Sequence, residues 1–253
     1  MATFSADLDR LFNELPFPDR FKAARDAGFA ATEFTFPEDV PLGVLGDAAA
    51  YDGLKTALLT MPADKAALAF DPKRKKDFIA AFERMLDVAD FLQCPFIHVP
   101  GKPVAESSAD AECEAFAAAL HAVGRSARQA GIKILIGFKN AVENPDFYPA
   151  STLEVLQLLD ELDDDKAFGY LYDVYEAQTV EGGISNTLES LASLICHVRI
   201  AGVPLRDEPD NGEIDYGYVL SVLENHAFAD KIGCSYTPRL TTAQGLKWMK
   251  KFV

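Results

Sequence analysis

The chain has 253 residues, 49% of them apolar, which is enough to bury the core of one closed parallel barrel. A formal net charge of −15 excludes a phosphate backbone or an anionic membrane surface as partner, since both would be repelled at long range. The opening residues MATFSADLDRLF lack the basic and apolar regions of a signal peptide, and no apolar run reaches about 18 residues. A cytoplasmic protein without a membrane span is expected.

Eight short runs of β-branched and aromatic residues are predicted as strands, with helical patterns between them. The first is Thr3 to Asp7. The second, Ala31 to Phe36, carries Glu33 in its middle, where an unpaired buried carboxylate would cost several kcal/mol and so demands a partner. Pro41 and Pro72 stand where a first helical turn can use a missing N–H. Between them lies the third run, Thr56 to Met61. The basic stretch Lys73 to Lys76 opens a helix and reads as solvated surface rather than a nucleic-acid site. Phe78, Phe82, Met85, Ala89 and Leu92 then repeat at helical spacing.

The fourth run, Pro95 to Pro100, holds His98 and is followed by Lys102. A second helical stripe comprises Cys113, Phe116, Leu120, Val123 and Ala127, and the fifth run, Ile132 to Phe138, leads into Gly137 and Lys139 on one face. Ser151, three residues before Glu154, forms a capping box. The sixth run, Phe168 to Tyr175, offers Asp173 and Tyr175, with Glu176 just beyond; the seventh, Ile195 to Ala201, offers His197 and Arg199; the eighth, Ile232 to Thr237, offers Ser235 and Thr237.

This uninterrupted alternation predicts a single α/β domain over residues 1–253, a closed (β/α)₈ TIM barrel whose chemistry sits at the C-terminal strand ends. No G-x-G-x-x-G or P-loop follows any strand, so nucleotide binding loses its main support. Cys94, Cys113, Cys196 and Cys234 are too scattered for a zinc cage or disulfide framework and read as buried apolar residues. A lone strand histidine is ordinarily a hydrogen-bonded core residue, which is the plain reading of His98 and His197. Asp173 and Arg199, on neighbouring strands at similar height, are predicted as a buried ion pair or a catalytic one.

Several segments are familiar: FSADLDRLFNELPFPDRFKAARDAGFAATEFTFP, YDVYEAQ, HVRIAGVPLRDEPDNGEIDYGYVLSVLEN, GCSYTP and TTAQGLKWM. In this order, over essentially the whole chain, they resemble the hydroxypyruvate isomerases of the xylose-isomerase-like barrel superfamily. The resemblance implies interconversion of hydroxypyruvate and tartronate semialdehyde, with a divalent metal polarising the oxygens and acidic side chains moving the proton. Position by position, however, the family's fifth-strand Glu ligand is Gly137, its seventh-strand Gln or His ligand is Arg199 and its last Glu ligand is Ser235, which leaves Asp173. The family's neighbouring His is Glu176, and LLTMPADKA stands where the family has a His-Asn pair before its Leu-Pro-Ala. The loop after the seventh run keeps a family-like pattern in Arg206, Glu208, Pro209, Gly212, Glu213 and Tyr216.

No metal and no other cofactor is therefore expected. The expected protein is a repurposed enzyme that moves a proton on a small oxo-acid, hydroxy-acid or sugar-like substrate. Asp173, Glu176, Lys139 and Arg199 are the expected catalytic residues; Glu33, His98, Lys102, Arg206, Glu208, Glu213 and Ser235 are expected to contact substrate. The alternative is an inactive pseudoenzyme that binds a ligand or serves as a scaffold; a third reading keeps a metal on Glu33, His98, Asp173 and His197. A homodimer is compatible with the sequence but does not follow from it.

Overall fold

The computed structural model describes residues 3–50, 53–226, 228 and 232–252. Eight strands close a parallel barrel: β1 (Phe4–Asp7), β2 (Ala31–Thr35), β3 (Lys55–Thr60), β4 (Phe96–His98), β6 (Lys133–Ile136), β8 (Phe168–Asp173), β9 (Ile195–Ile200) and β10 (Ile232–Cys234), in the order β1-β10-β9-β8-β6-β4-β3-β2. Each falls on one of the eight predicted runs. Two further strands, β5 (Lys102–Pro103) and β7 (Phe147–Tyr148), form a small antiparallel sheet that the sequence did not announce.

The chain's contacts divide into two compact units. The first comprises residues 1–34, 38–57 and 172–253, and its strands are tied by parallel ladders: Asp7 pairs with Glu33 between β1 and β2, Ser5 with Gly233 between β1 and β10, and Gly233 with Arg199 between β10 and β9. Phe17, Phe21 and Phe34 meet edge to face beneath the helix Phe17–Asp26, and Trp248 packs on Phe4 with centroids 5.2 Å apart while donating to the Tyr236 hydroxyl.

The second unit comprises residues 35–37 and 58–171. Both predicted stripes become buried helix faces there: Lys75–Phe91 buries Phe78, Phe82, Met85 and Ala89, and Ala109–Ala130 buries Phe116, Leu120, Val123 and Ala127. Ser151 caps the helix Thr152–Leu162 by accepting from the Glu154 N–H, but the Glu154 carboxylate reaches back to the Ala150 N–H rather than to Ser151. Pro41 proves to be the residue before the helix Leu42–Ala49, and Pro72 opens a short 3₁₀ turn. Cys94 and Cys234 are buried as expected, whereas Cys113 and Cys196 are half-buried; all four are free thiols.

One strand end differs from expectation in a way that shapes the site. The sixth run is apolar through Tyr175, yet β8 stops at Asp173, because the Asp173 carboxylate accepts the N–H groups of Tyr175 and Glu176 and starts the helix Val174–Val180. Glu176 thereby lies in a helical first turn directly above its capping residue. Among the described residues, no helix is long and apolar enough to cross a membrane.

Candidate functional site

The first unit gathers a polar cluster on strand ends that are otherwise apolar. Glu33, in β2, has 0% side-chain exposure; its Oε2 lies 2.6 Å from His197 Nε2, and its Oε1 accepts from Arg199 Nε at 2.6 Å. His197 and Arg199 are two apart on β9, so the period of the strand brings both to one face. Burial alone would push the Glu33 carboxyl up, but the charge and hydrogen bonds of Arg199 and His197 outweigh it and hold the group down at about 2. Burial likewise works against the Arg199 charge, and Glu33, Asp7 and Asp173 more than offset it. Among the described residues, Arg199 is bonded through Nε alone. Its two terminal amino groups have no partner among those residues and remain solvent-accessible on a side chain 13% exposed.

Gly233 makes room for this arrangement. It lies in the strand row between Ser5 and Arg199, and a Cβ there would stand 2.9 Å from His197 Nε2 and closer still to Glu33 Oε2. Gly233→Ala is therefore expected to displace the buried pair and lower the unfolding free energy by about 1–3 kcal/mol in chemical denaturation, the usual cost of overpacking. A loss below about 0.5 kcal/mol would show that the cluster moves aside freely.

A second group lies at the end of β8. Arg206 donates from Nη2 to Asp173 Oδ2 and from Nη1 to Glu176 Oε1, each at 2.6 Å, and its guanidinium covers the Tyr175 ring at 4.6 Å. Despite the cost of burial, Asp173 and Glu176 hold the Arg206 charge firmly in place. The expected pairing of Asp173 with Arg199 is thus corrected: Asp173 is taken by Arg206, and Arg199 by Glu33. The Arg206 backbone adopts a left-handed φ of 52°, and its carbonyl accepts the Thr237 N–H.

The rest of that loop is fastened from within. Glu208 is 2% exposed and accepts from both the backbone N–H and Nε of Arg239, whereas Glu213 is exposed. The Tyr216 hydroxyl donates to the Ala201 carbonyl at 2.6 Å and accepts the Ala201 N–H. Gly212 adopts φ 123°, and any Cβ there would run into the Val203 backbone.

Asp7, the last residue of β1, completes the cluster and was not among the expected site residues. Its Oδ2 accepts from the Ser235 hydroxyl at 2.7 Å and its Oδ1 from the Asp9 N–H at 3.1 Å. Burial pushes its carboxyl up to about 6; Glu33 and Asp9 add to the rise, while Arg199 and the Ser235 hydrogen bond oppose it. The strand-end rule that picked out Asp173 and Arg199 would have found it if applied to the first strand. Beside it, Arg10 donates to Thr237 Oγ1 at 3.2 Å.

The remaining expected residues belong to the second unit. His98 is buried, with Nδ1 3.5 Å from Thr60 Oγ1. Lys102 is tied to Glu112 and to the Pro103 carbonyl, and lies 5.0 Å from the centroid of the Phe70 ring. Lys139 is half-buried and its backbone N–H donates to the Pro149 carbonyl. At Gly137 a Cβ would sit 3.0 Å from the Leu171 carbonyl oxygen, so a side chain needs the strand to give slightly.

With this geometry established, comparison with known proteins decides the family. The profile of xylose isomerase-like TIM barrels matches residues 21–252. The chain belongs to that family. Within the xylose isomerase-like barrels it is 33% identical to the 2-oxo-tetronate isomerase of Haemophilus influenzae and 33% identical to the hydroxypyruvate isomerase of Escherichia coli K12, in both cases over 100% of each sequence. A solved structure from Brucella melitensis, described as an AP endonuclease of family 2, shares 31% identity and superposes with a TM-score of 0.93 over 100% of this chain and 99% of that one. This xylose isomerase-like barrel is thus of the hydroxypyruvate and 2-oxo-tetronate isomerase type.

Proposed function

We propose that the protein isomerises a small 2-oxo acid of the hydroxypyruvate or 2-oxo-tetronate class by moving a proton between adjacent carbons, with guanidinium groups in place of a divalent cation. The observation that carries this reading is Arg199. Its Nε is fixed by buried Glu33, so its two terminal amino groups form a preorganised fork that matches a substrate carboxylate with two parallel hydrogen bonds. Such a fork, already oriented and partly desolvated, also stabilises the negative charge that develops on the neighbouring oxygen in an enediolate.

The donor set at the four positions implied by the family resemblance suits no hard divalent ion. Gly137 brings no donor atom, Arg199 brings a permanent positive charge and the Ser235 hydroxyl is committed to Asp7. Both oxygens of Asp173 already accept, one from Arg206 and the other from two backbone N–H groups. Among the described residues, no three His, Cys, Asp or Glu side chains gather as a metal site. In this reading Arg199 and Arg206 supply the compensating charge, and the proton is handled by a carboxylate of the same cluster.

Solvent-deuterium exchange into hydroxypyruvate and 2-oxo-tetronate, measured with and without EDTA, tests the proposal. Exchange is expected to survive chelation and to fall about 100-fold in Arg199→Ala, the scale for losing one preorganised donor group. Stoichiometric manganese, magnesium or zinc in protein purified without chelator, together with exchange that EDTA abolishes, would overturn the metal-free mechanism. No exchange with either acid would overturn the enzymatic reading and leave a binding barrel.

A further inference from the structure

We propose that Asp7, held by the Ser235 hydroxyl, is the residue that carries the proton, an assignment that rests on the isomerase reading above. Four carboxylates make up the cluster among the described residues, and three are already paired with arginines at 2.6 Å. Glu33 is spent on His197 and Arg199, and Asp173 and Glu176 are spent on Arg206. Asp7 is different. Among the described residues, its side chain's short contacts are one hydroxyl and one backbone N–H, and the cationic nitrogen within ion-pair range is Arg10 Nε at 3.9 Å.

A carboxylate clamped by arginine is a poor base, because proton uptake must first give up the ion pair; one held by a hydroxyl keeps its basicity. Asp7 also ends its strand on the mouth side, in register with Glu33, and Arg199 is the strongest charge that it feels. A substrate carboxylate on the Arg199 fork therefore brings its adjacent carbons toward Asp7. Docking that anion also cancels part of the positive field opposing protonation, which raises the proton affinity of Asp7 at the moment it is needed. The groups acting on Asp7 are Glu33 from β2, Arg199 from β9, Cys234 in β10, Ser235 beyond it, and Asp9 and Arg10 from its own loop.

The step balances without any co-reactant. Asp7 removes a proton from the hydroxyl-bearing carbon next to the ketone; the C–H electron pair becomes the new C=C bond and the carbonyl π pair becomes an oxyanion. The remaining hydroxyl proton passes to that oxyanion. As the oxygen left behind forms the new carbonyl, the C=C pair takes the proton back from Asp7 at the neighbouring carbon.

The test uses the full chain, hydroxypyruvate and 2-oxo-tetronate as probes, and two variants. Asp7→Asn keeps the shape of the side chain and is expected to slow exchange and turnover at least about 100-fold while calorimetry shows the acid still binding. Ser235→Ala removes a hydrogen bond that lowers the Asp7 value of about 6, so the acidic limb of its kcat/KM profile should move to higher pH. A merely structural serine would leave that limb in place. Wild-type-like exchange in Asp7→Asn, or an unmoved limb in Ser235→Ala, overturns the assignment alone. If the wild-type protein exchanges no deuterium with either acid, the isomerase reading fails and takes this one with it.

Discussion

Glu33→Gln is expected to lower the unfolding free energy by about 3–5 kcal/mol, the scale for breaking a buried ion pair from one side. Arg199 stays charged, and in the variant its Nε faces a neutral amide. Linkage gives a similar figure: a carboxyl moved from 4.5 to about 2 contributes about 3 kcal/mol at neutral pH. Because the shift is downward, that contribution is complete above the unfolded value of 4.5 and is lost as pH falls through about 2. Urea unfolding at pH 7 should therefore show the full deficit, and the gap between wild type and variant should close steadily below pH 4.5. Adding Arg199→Gln to Glu33→Gln should recover part of the loss, since the two residues act as a unit. A deficit under about 1 kcal/mol at pH 7 would mean that Glu33 is not the hub of the cluster.

Arg206→Met should have an effect of similar size, about 3–5 kcal/mol, by the opposite route. The methionine can still cover the Tyr175 ring, so packing is largely kept while two buried carboxylates lose their common partner. Asp173 and Glu176 then face each other within one helical turn. Adding Asp173→Asn and Glu176→Gln removes the unpaired charge, so the deficit should shrink in that background, whereas a packing defect would persist. Thermal unfolding followed by circular dichroism at pH 7 distinguishes the two. A deficit unchanged by the added substitutions would place the role of Arg206 in the loop fold instead of in its charge.

The barrel was legible because its signals are local. Each strand is a short apolar run, each intervening helix shows a 3.6-residue stripe, and both patterns follow from which face of the element meets the core. What escaped were features without such a pattern. The strands β5 and β7 are two residues each, too short for alternation to register, and β8 ends at Asp173 because a side chain captures two backbone N–H groups. That cap was written in the letters, but an apolar tyrosine after it spoke for a longer strand.

The site was legible in kind but not in its pairings. Glu33, Asp173, Glu176, His197, Arg199 and Ser235 stand out in the sequence as polar groups in or beside apolar strands, since burying them costs free energy that only a partner or a ligand returns. Which partner each one takes was decided by the tertiary structure. Glu33 and Arg199 are 166 residues apart in sequence and lie on strands separated by two others in the barrel order, so only the closed interior brings them together. Arg206 reaches Asp173 and Glu176 from a left-handed turn that its residue type does not announce. The sequence by itself determined the barrel and the stock of charges at its mouth, because strand periodicity is local; the fold alone decided that Glu33 takes Arg199, that Asp173 and Glu176 take Arg206, and that Asp7 is held most closely by a hydroxyl, because ion pairs are settled by reach and distance.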